Sequence, residues 1–287
     1  MNQIDLQIQS TISDGKHTPR EIVEMARDLA IRVISLTDHD AIEGVDEMRA
    51  AGGEYGIRII PGIEMSVEEY GGHILGYGID PAHLGLYKAL QESRKQRIDG
   101  VKQMMENLKK NEGFIVEWDD VLNDTKGSLV ITRPHLVRAI MKKPENAKKL
   151  EGMTKNDFFK RYLSDDNPNY VHRAYMSVKD TIFLIHDAGG IAIWSHPAIH
   201  FKNNYEELEK FLQELIGWEI DGLEVFNPSH TEDDAEFLQG MCGQYQLVYT
   251  AGSDFHEKGN HPADPKTGLH SARTLGDFET YGFSLDD

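Results

Sequence analysis

Four times along this chain an apolar run ends in a polar cluster that carries an imidazole. The runs are "RVISLTDHD" (32–40), "GGIAIWSHP" (189–197), "IDGLEVFNPSH" (220–230) and "QLVYTAGSDFH" (246–256). Each reads as a buried strand, and helical patterns lie between them, around 177–189, 204–216 and 231–243. Strands alternating with helices build parallel β/α units. In a closed β/α barrel the active site lies at the C-terminal ends of the strands. A chain that repeats "apolar strand, then polar cluster" is therefore expected to be α/β, with its chemistry gathered on one barrel face.

The remaining segments extend the pattern. "IDLQIQSTISDG" (4–15) reads as a first strand ending in an acidic loop. In "TPREIVEMARDLAI", Thr18 is a candidate N-cap, Pro19 sits in the first turn, and Ile22, Ala26 and Leu29 share a helix face. Residues 41–56 read as a second helix, and "IRIIPGIEMS" and "GHILGYGI" as further strands. The rhythm breaks from about 84 to 170, where "LYKALQESRKQRIDGVKQMMENLKK" predicts a long amphipathic helix. The expected division is a barrel from 1–83 and 171–287, with 84–170 inserted as a helical lid over its mouth.

The polar groups at the strand ends are Asp14, Asp38-His39-Asp40, Glu64, His73, His196, and Asp254 with His256. Mixed imidazole and carboxylate donors suit Zn, Mn or Fe. A lone histidine beside an acid is usually structural, but so many strand ends bearing such groups point to a metal centre. Two positions do not fit. Alternate residues of a strand point the same way, so Gln7 and Gln9 should project together toward the other groups. Amide oxygen is a poor ligand for Zn and tolerable for Mg or Ca.

Charge narrows the partners. Thirty basic against 48 acidic residues give −18, which disfavours a long polyanion and favours a small substrate. Arg94, Lys95 and Arg97, and Lys142, Lys143, Lys148 and Lys149, read as solvated helix faces. No apolar run suits a membrane span and no secretory leader is visible, so a cytoplasmic protein is expected. The single Cys242 excludes an internal disulfide and reads as a small buried helix residue.

In order, "DLQIQSTISDG", "TDHD", "GIEMS", "GGHILGYG", "SHP" and "GSDFH" resemble the motifs of the PHP (polymerase and histidinol phosphatase) family of metal-dependent phosphoesterases. The likeness covers nearly the whole chain. It departs from the family at Gln7 and Gln9, where the first motif carries histidines. "TRPHLVRAIM", "FFKRYLSDDNPNYV" and "GLEVFNPSH" further resemble the subgroup with an inserted helical domain.

The resemblance implies a distorted (β/α)7 TIM-like barrel. It implies a phosphatase of small nucleotides, either 3′,5′-bisphosphonucleotides such as phosphoadenosine phosphate or nucleoside monophosphates, acting through a water activated by metal. It groups positions 7 and 9 with Glu64 and Asp254 in one site, Glu64 with His73 and His196 in a second, and Asp14, His39 and His256 in a third. Two or three divalent cations are implied: Mn, Fe or Zn, with Mg in the weakened first site. Arg133 and His135 resemble a phosphate-contacting pair, and His230 is a candidate donor to the phosphate or leaving group. Glu64, His39, Arg133 and His230 are the candidate catalytic residues, with Asp38 and Asp40 orienting ligands. His17, His83, His172, His186, His261 and His270 receive no role, and His200 is a weak candidate. Two other classes stay open: an impaired member that binds nucleotide without turnover, and a 5′–3′ exonuclease on short RNA.

Overall fold

Residues 3–69, 72–125, 127–164, 166–171, 176–201 and 204–257 are described in the computed structural model. His172, His261 and His270 lie outside them. The strands are β1 (Gln3–Asp5), β2 (Ile31–Leu36), β3 (Arg58–Ser66), β4 (His73–Tyr77), β5 (Ile191–Trp194), β6 (Gly222–Phe226) and β7 (Val248–Ala251). The α-helices are α1 (Pro19–Asp28), α2 (Val45–Tyr55), α3 (Leu84–Glu112), α4 (Trp118–Thr125), α5 (Arg133–Lys142), α6 (Lys155–Tyr162), α7 (Val178–Asp187), α8 (Tyr205–Gly217) and α9 (Glu232–Tyr245). The chain divides into one unit of Met1–Ala89 with Tyr175–Asp287 and another of Leu90–Ala174.

In the first unit the seven strands neighbour one another in sequence order. Just past β1, Leu6 N–H donates to Ala251 O at 3.0 Å, and Ile8 bridges Phe255 in parallel. These contacts join the first strand to the last and nearly close a TIM-like barrel. Thr18 and Glu21 form a capping box that starts α1, and Ile22, Val23 and Ala26 bury its inner face. That face packs with Ile34, Leu36, Met48 and Phe255, while Ile4, Leu6, Val33, Leu75 and Ile193 form a second cluster.

Two expectations need correction. The strands are not all parallel, because β4 runs antiparallel to both β3 and β5. A parallel crossover takes a dozen or more residues, and the connection from Ser66 to His73 is far shorter, so the chain turns back. His73 therefore opens β4 instead of ending a strand. Paired with Ser66, the last residue of β3, it still reaches the rim where the parallel strands end. The second correction concerns the first strand, which stops at Asp5 and leaves Gln7 and Gln9 beyond it.

The second unit has its own core. Met104, Leu108, Phe114, Leu136, Ile140, Phe158 and Tyr162 are buried together. The rings of Phe114, Phe158 and Tyr162 lie 5.0–5.2 Å apart. Each large side chain buried in this way contributes about 1.5–3 kcal/mol. No helix among the described residues is long and apolar enough to cross a membrane.

Candidate metal centre

Glu64 is the hub. It lies on β3 and is fully buried. Its Oε1 is 3.1 Å from His73 Nδ1 and 3.3 Å from His196 Nε2, and its Oε2 is 3.4 Å from His39 Nδ1. His73 Nδ1 and His196 Nε2 are themselves 3.3 Å apart. The His39 ring stands 4.9 Å from that of His73 and 6.3 Å from that of His256. His256 Nε2 lies 3.4 Å from Asp14 Oδ1. Two trios result, Asp14–His39–His256 and His39–Glu64–His73, each with its ligand-type atoms within 4.8 Å of one another. They share His39, which can commit its nitrogen to one cation only. Three residues of the motifs, Asp40, His196 and Asp254, have φ of 46°, 30° and 50°. Such backbone costs on the order of 1–3 kcal/mol per residue and persists only where its surroundings hold it.

The electrostatics follow from this packing. Burial alone would raise the Glu64 pKa, but the charges of His39 and His73 and hydrogen bonds from His196 and His73 hold it well below the usual carboxylate range. Burial opposes charge on His196 as well, yet its hydrogen bond to Glu64 and the charge of that carboxylate raise it to about 9. His256 is likewise opposed by burial and raised to about 10 by Asp254 and Asp14. Burial lowers His73.

These donors fit divalent cations. His39 Nδ1 is buried and aimed at Glu64 without completing a hydrogen bond among the described residues. Imidazole nitrogens converge with carboxylates at both trios, a donor set for a first-row ion. Asp254, grouped above with positions 7 and 9, has its Oδ1 3.8 Å from His256 Nδ1.

Gln7 and Gln9 behave differently. Gln9 Nε2 donates to Glu64 Oε2 at 2.5 Å, and Gln7 Nε2 donates to Glu64 Oε1 at 3.1 Å. The amide orientations follow from their partners. Gln9 Oε1 accepts from the His39 backbone N–H at 3.1 Å, and lies 3.1 Å from Ser13 Oγ, whose one proton goes to Asp38 Oδ1 at 2.5 Å. Gln7 Oε1 accepts from Asn227 Nδ2 at 3.0 Å, and Asn227 is oriented in turn by accepting from the Ser229 backbone N–H at its Oδ1. Gln7, Gln9 and Glu64 are all fully buried. Turning an amide oxygen toward a cation would strand these partners, at about 1–3 kcal/mol for each buried group left unpaired. The position bounded by Gln7, Gln9 and Glu64 therefore does not fit a cation.

Supporting residues were harder to see in the sequence. Ser195 Oγ accepts from Gln7 Nε2 at 3.0 Å and lies 3.2 Å from Glu64 Oε1. Glu224 Oε2 accepts from the His196 backbone N–H at 2.9 Å. Asp5 accepts from Ser253 N–H and Oγ at 2.9 and 2.5 Å. Burial pushes both Glu224 and Asp5 up to about 8, so each holds a proton near neutral pH. Their signal was an acid inside an otherwise apolar strand. Asp38 and Asp40 engage the loops around the centre. Asp38 takes three hydrogen bonds from Ser10 and Ser13, and Asp40 Oδ1 accepts from the Ser66 backbone N–H.

The motif glycines are explained by close approach. A Cβ on Gly15 would lie 2.2 Å from Gln9 O, and one on Gly252 would lie 2.3 Å from Gln7 Cβ and 2.8 Å from Glu224 Oε1. Gly252→Ala should destabilise the fold by about 1–3 kcal/mol. Gly53→Ala, in α2 with nothing within 4 Å of the new methyl, should stabilise by about 0.5–1 kcal/mol. Urea midpoints of the two variants check this, and equal midpoints would contradict it.

The other candidates sit as follows. Arg133 opens α5 and lies over the Tyr170 ring, 5.0 Å from its centroid. Arg133, Pro134, Phe159, Lys160, Leu163 and Ser164 line a hollow of about 470 Å³ in the second unit. His135 is buried and caps α5, its Nδ1 accepting from the Thr132 backbone N–H at 3.0 Å. His230 is buried, with burial lowering its pKa, and its Nδ1–H donates to Val225 O at 2.9 Å. In the neutral ring the proton therefore sits on Nδ1. Burial takes His200 down to about 4. His17, His83 and His186 lie 3.8, 3.3 and 2.7 Å from the carboxylates of Glu21, Asp187 and Asp221. Burial pushes the Cys242 thiol up to about 12, which rules out a thiolate nucleophile there at neutral pH.

Comparison with known proteins gives a consistent picture. Residues 5–225 match the PHP domain family. The chain is 31% identical to a 3′,5′-nucleoside bisphosphate phosphatase of Chromobacterium violaceum, over 92% of this chain and 90% of that protein. It is 32% identical to a 5′–3′ exoribonuclease of Haemophilus influenzae, over 88% and 89% respectively. A solved structure from Bifidobacterium adolescentis, assigned as a metal-dependent phosphoesterase, superposes with a TM-score of 0.77 at 28% identity, covering 92% of each chain.

Proposed function

This chain belongs to the PHP family, and on that premise we propose that it removes phosphate from small nucleotides, nucleoside 3′,5′-bisphosphates first among them. It is a phosphoric ester hydrolase that works with divalent cations. The observation that carries this reading is the convergence of three imidazoles on the buried Glu64 carboxylate.

Glu64, His73 and His196 would hold one cation, and Asp14, His39 and His256 another. Such cations offset phosphoryl charge and lower the pKa of water, so that hydroxide is available near neutral pH. Asp254 holds His256 charged in the cation-free chain and reinforces its loop. His230, neutral with its Nδ1–H engaged, offers Nε2 as a proton acceptor. Arg133 is assigned to a substrate phosphate, which its guanidinium can grip with two N–H donors, and His135 supports it from the same helix turn.

One fact favours a small substrate over RNA: the net charge of −18. A panel of nucleoside 3′,5′-bisphosphates, nucleoside monophosphates and short 5′-phosphorylated RNA, assayed for phosphate release and chain shortening, tests the choice. Bisphosphates should turn over with the highest kcat/KM. Stepwise RNA shortening at a higher kcat/KM would replace this reading with the exoribonuclease one, and binding without turnover of any substrate would replace it with a binding role.

Arg133→Ala should weaken nucleotide binding about ten- to a hundredfold, the loss of a charged hydrogen-bond pair worth about 1.5–3 kcal/mol. Metal content should not change. Unaltered binding would leave Arg133 as a surface side chain packed on Tyr170.

A further inference from the structure

We propose that Gln7 and Gln9 form an amide clamp that takes the place of a cation on Glu64, so that this chain loads two divalent cations and not three. This deepens the reading above and rests on it.

Two sets of groups approach Glu64. One is the nitrogens of His39, His73 and His196. The other is a pair of amides that give each carboxylate oxygen one N–H, Gln9 on Oε2 and Gln7 on Oε1. An N–H donor supplies partial positive charge where a cation would supply a full one, and it directs the carboxylate lone pairs in the same way. The amide oxygens, the only cation ligands Gln7 and Gln9 possess, are turned outward and engaged. Gln9 Oε1 is held by His39 N–H, and Gln7 Oε1 by Asn227 Nδ2. A cation entering here would meet two N–H groups pointing at it.

The clamp also reaches both remaining cation positions. Through its oxygen Gln9 fixes the backbone of His39, and through its nitrogen it fixes Glu64. Gln7 ties Glu64 to Ser195, the residue before His196. Gln7 and Gln9 are thus positioning residues for ligands on β3 and on the segments that follow β2 and β5, and imidazoles at these positions could not make the same set of contacts.

The test is a count that does not depend on turnover. Cation-stripped protein is titrated with Mn²⁺, and bound equivalents are read by calorimetry and by paramagnetic resonance of the free ion. The unaltered chain should bind two equivalents, and the Gln7→His, Gln9→His double variant three. Three equivalents on the unaltered chain would overturn the clamp, and so would two on a folded double variant. None on the unaltered chain would instead overturn the cation-dependent reading itself. Should the double variant not fold, side-chain amide resonances decide. With Zn²⁺ bound, the Nε2–H protons of Gln7 and Gln9, assigned by their loss in Gln7→Leu and Gln9→Leu, should stay protected from solvent exchange. Rapid exchange would mean that the amides have left Glu64.

Discussion

Glu64→Gln should lower phosphate release by at least about a thousandfold, a barrier increase of about 4 kcal/mol. The size follows from the position of the carboxylate. Among the described residues it is the one acid that His39, His73 and His196 all approach, and it is fully buried. A glutamine there keeps the volume and removes the charge. One half of its amide would turn an N–H toward groups that already donate to Glu64, among them the Gln7 and Gln9 amides. The cation held with His73 and His196 should be lost, while the one held by Asp14, His39 and His256 is weakened less. Elemental analysis beside a turnover assay separates these effects, with circular dichroism confirming that the barrel is folded. A folded variant that keeps activity within tenfold of the parent would show that hydrolysis does not pass through Glu64.

Cation affinity should rise steeply with pH. In the cation-free chain His196 is raised to about 9 and His256 to about 10, so both are imidazolium at neutral pH. A ligand nitrogen must lose its proton, and uptake therefore releases about one proton at each position. From pH 6.5 to 8.5 the apparent affinity should rise about tenfold per unit for each cation, or about a hundredfold over the window. The slope should flatten as pH passes 9 for the His73–His196 position and 10 for the Asp14–His256 position. Stability of the cation-free chain runs the other way. Both folded values lie above the ordinary imidazole value of about 6.5, so their contribution is complete below that pH and is lost as pH rises through 9 to 10. Competition with a chelator at several pH values measures the slope, and an affinity flat from pH 6.5 to 8.5 would contradict it.

Much of the barrel was legible because its strands repeat one local rule. "RVISLTDHD" and "QLVYTAGSDFH" place their chemistry where a parallel strand ends, and the structure puts His39 and His256 on the same rim. What periodicity could not convey was direction. "GHILGYG" reads as one more strand, and only the short connection before it says that it must run backward. That reversal is why His73 serves the centre from the start of its strand. The resemblance marked Gln7 and Gln9 as departures, and bare ligand chemistry made them a deficit. Their hydrogen bonds depend on Asn227 and Ser195, partners of Gln7 220 and 188 residues away, and no local pattern encodes those contacts. Glu224 and Asp5 are hard to recognise in the sequence because a buried acid in a strand is visible only as a lone exception to an apolar run.

Phosphate release from a nucleoside 3′,5′-bisphosphate by cation-stripped protein, measured before and after Mn²⁺ is restored, bears most directly on the Glu64 centre. The stripped chain should release none, two equivalents of Mn²⁺ should restore turnover, and Glu64→Gln should not respond to Mn²⁺. Release that persists in the stripped chain under chelator, or a Glu64→Gln variant that Mn²⁺ reactivates, would contradict it.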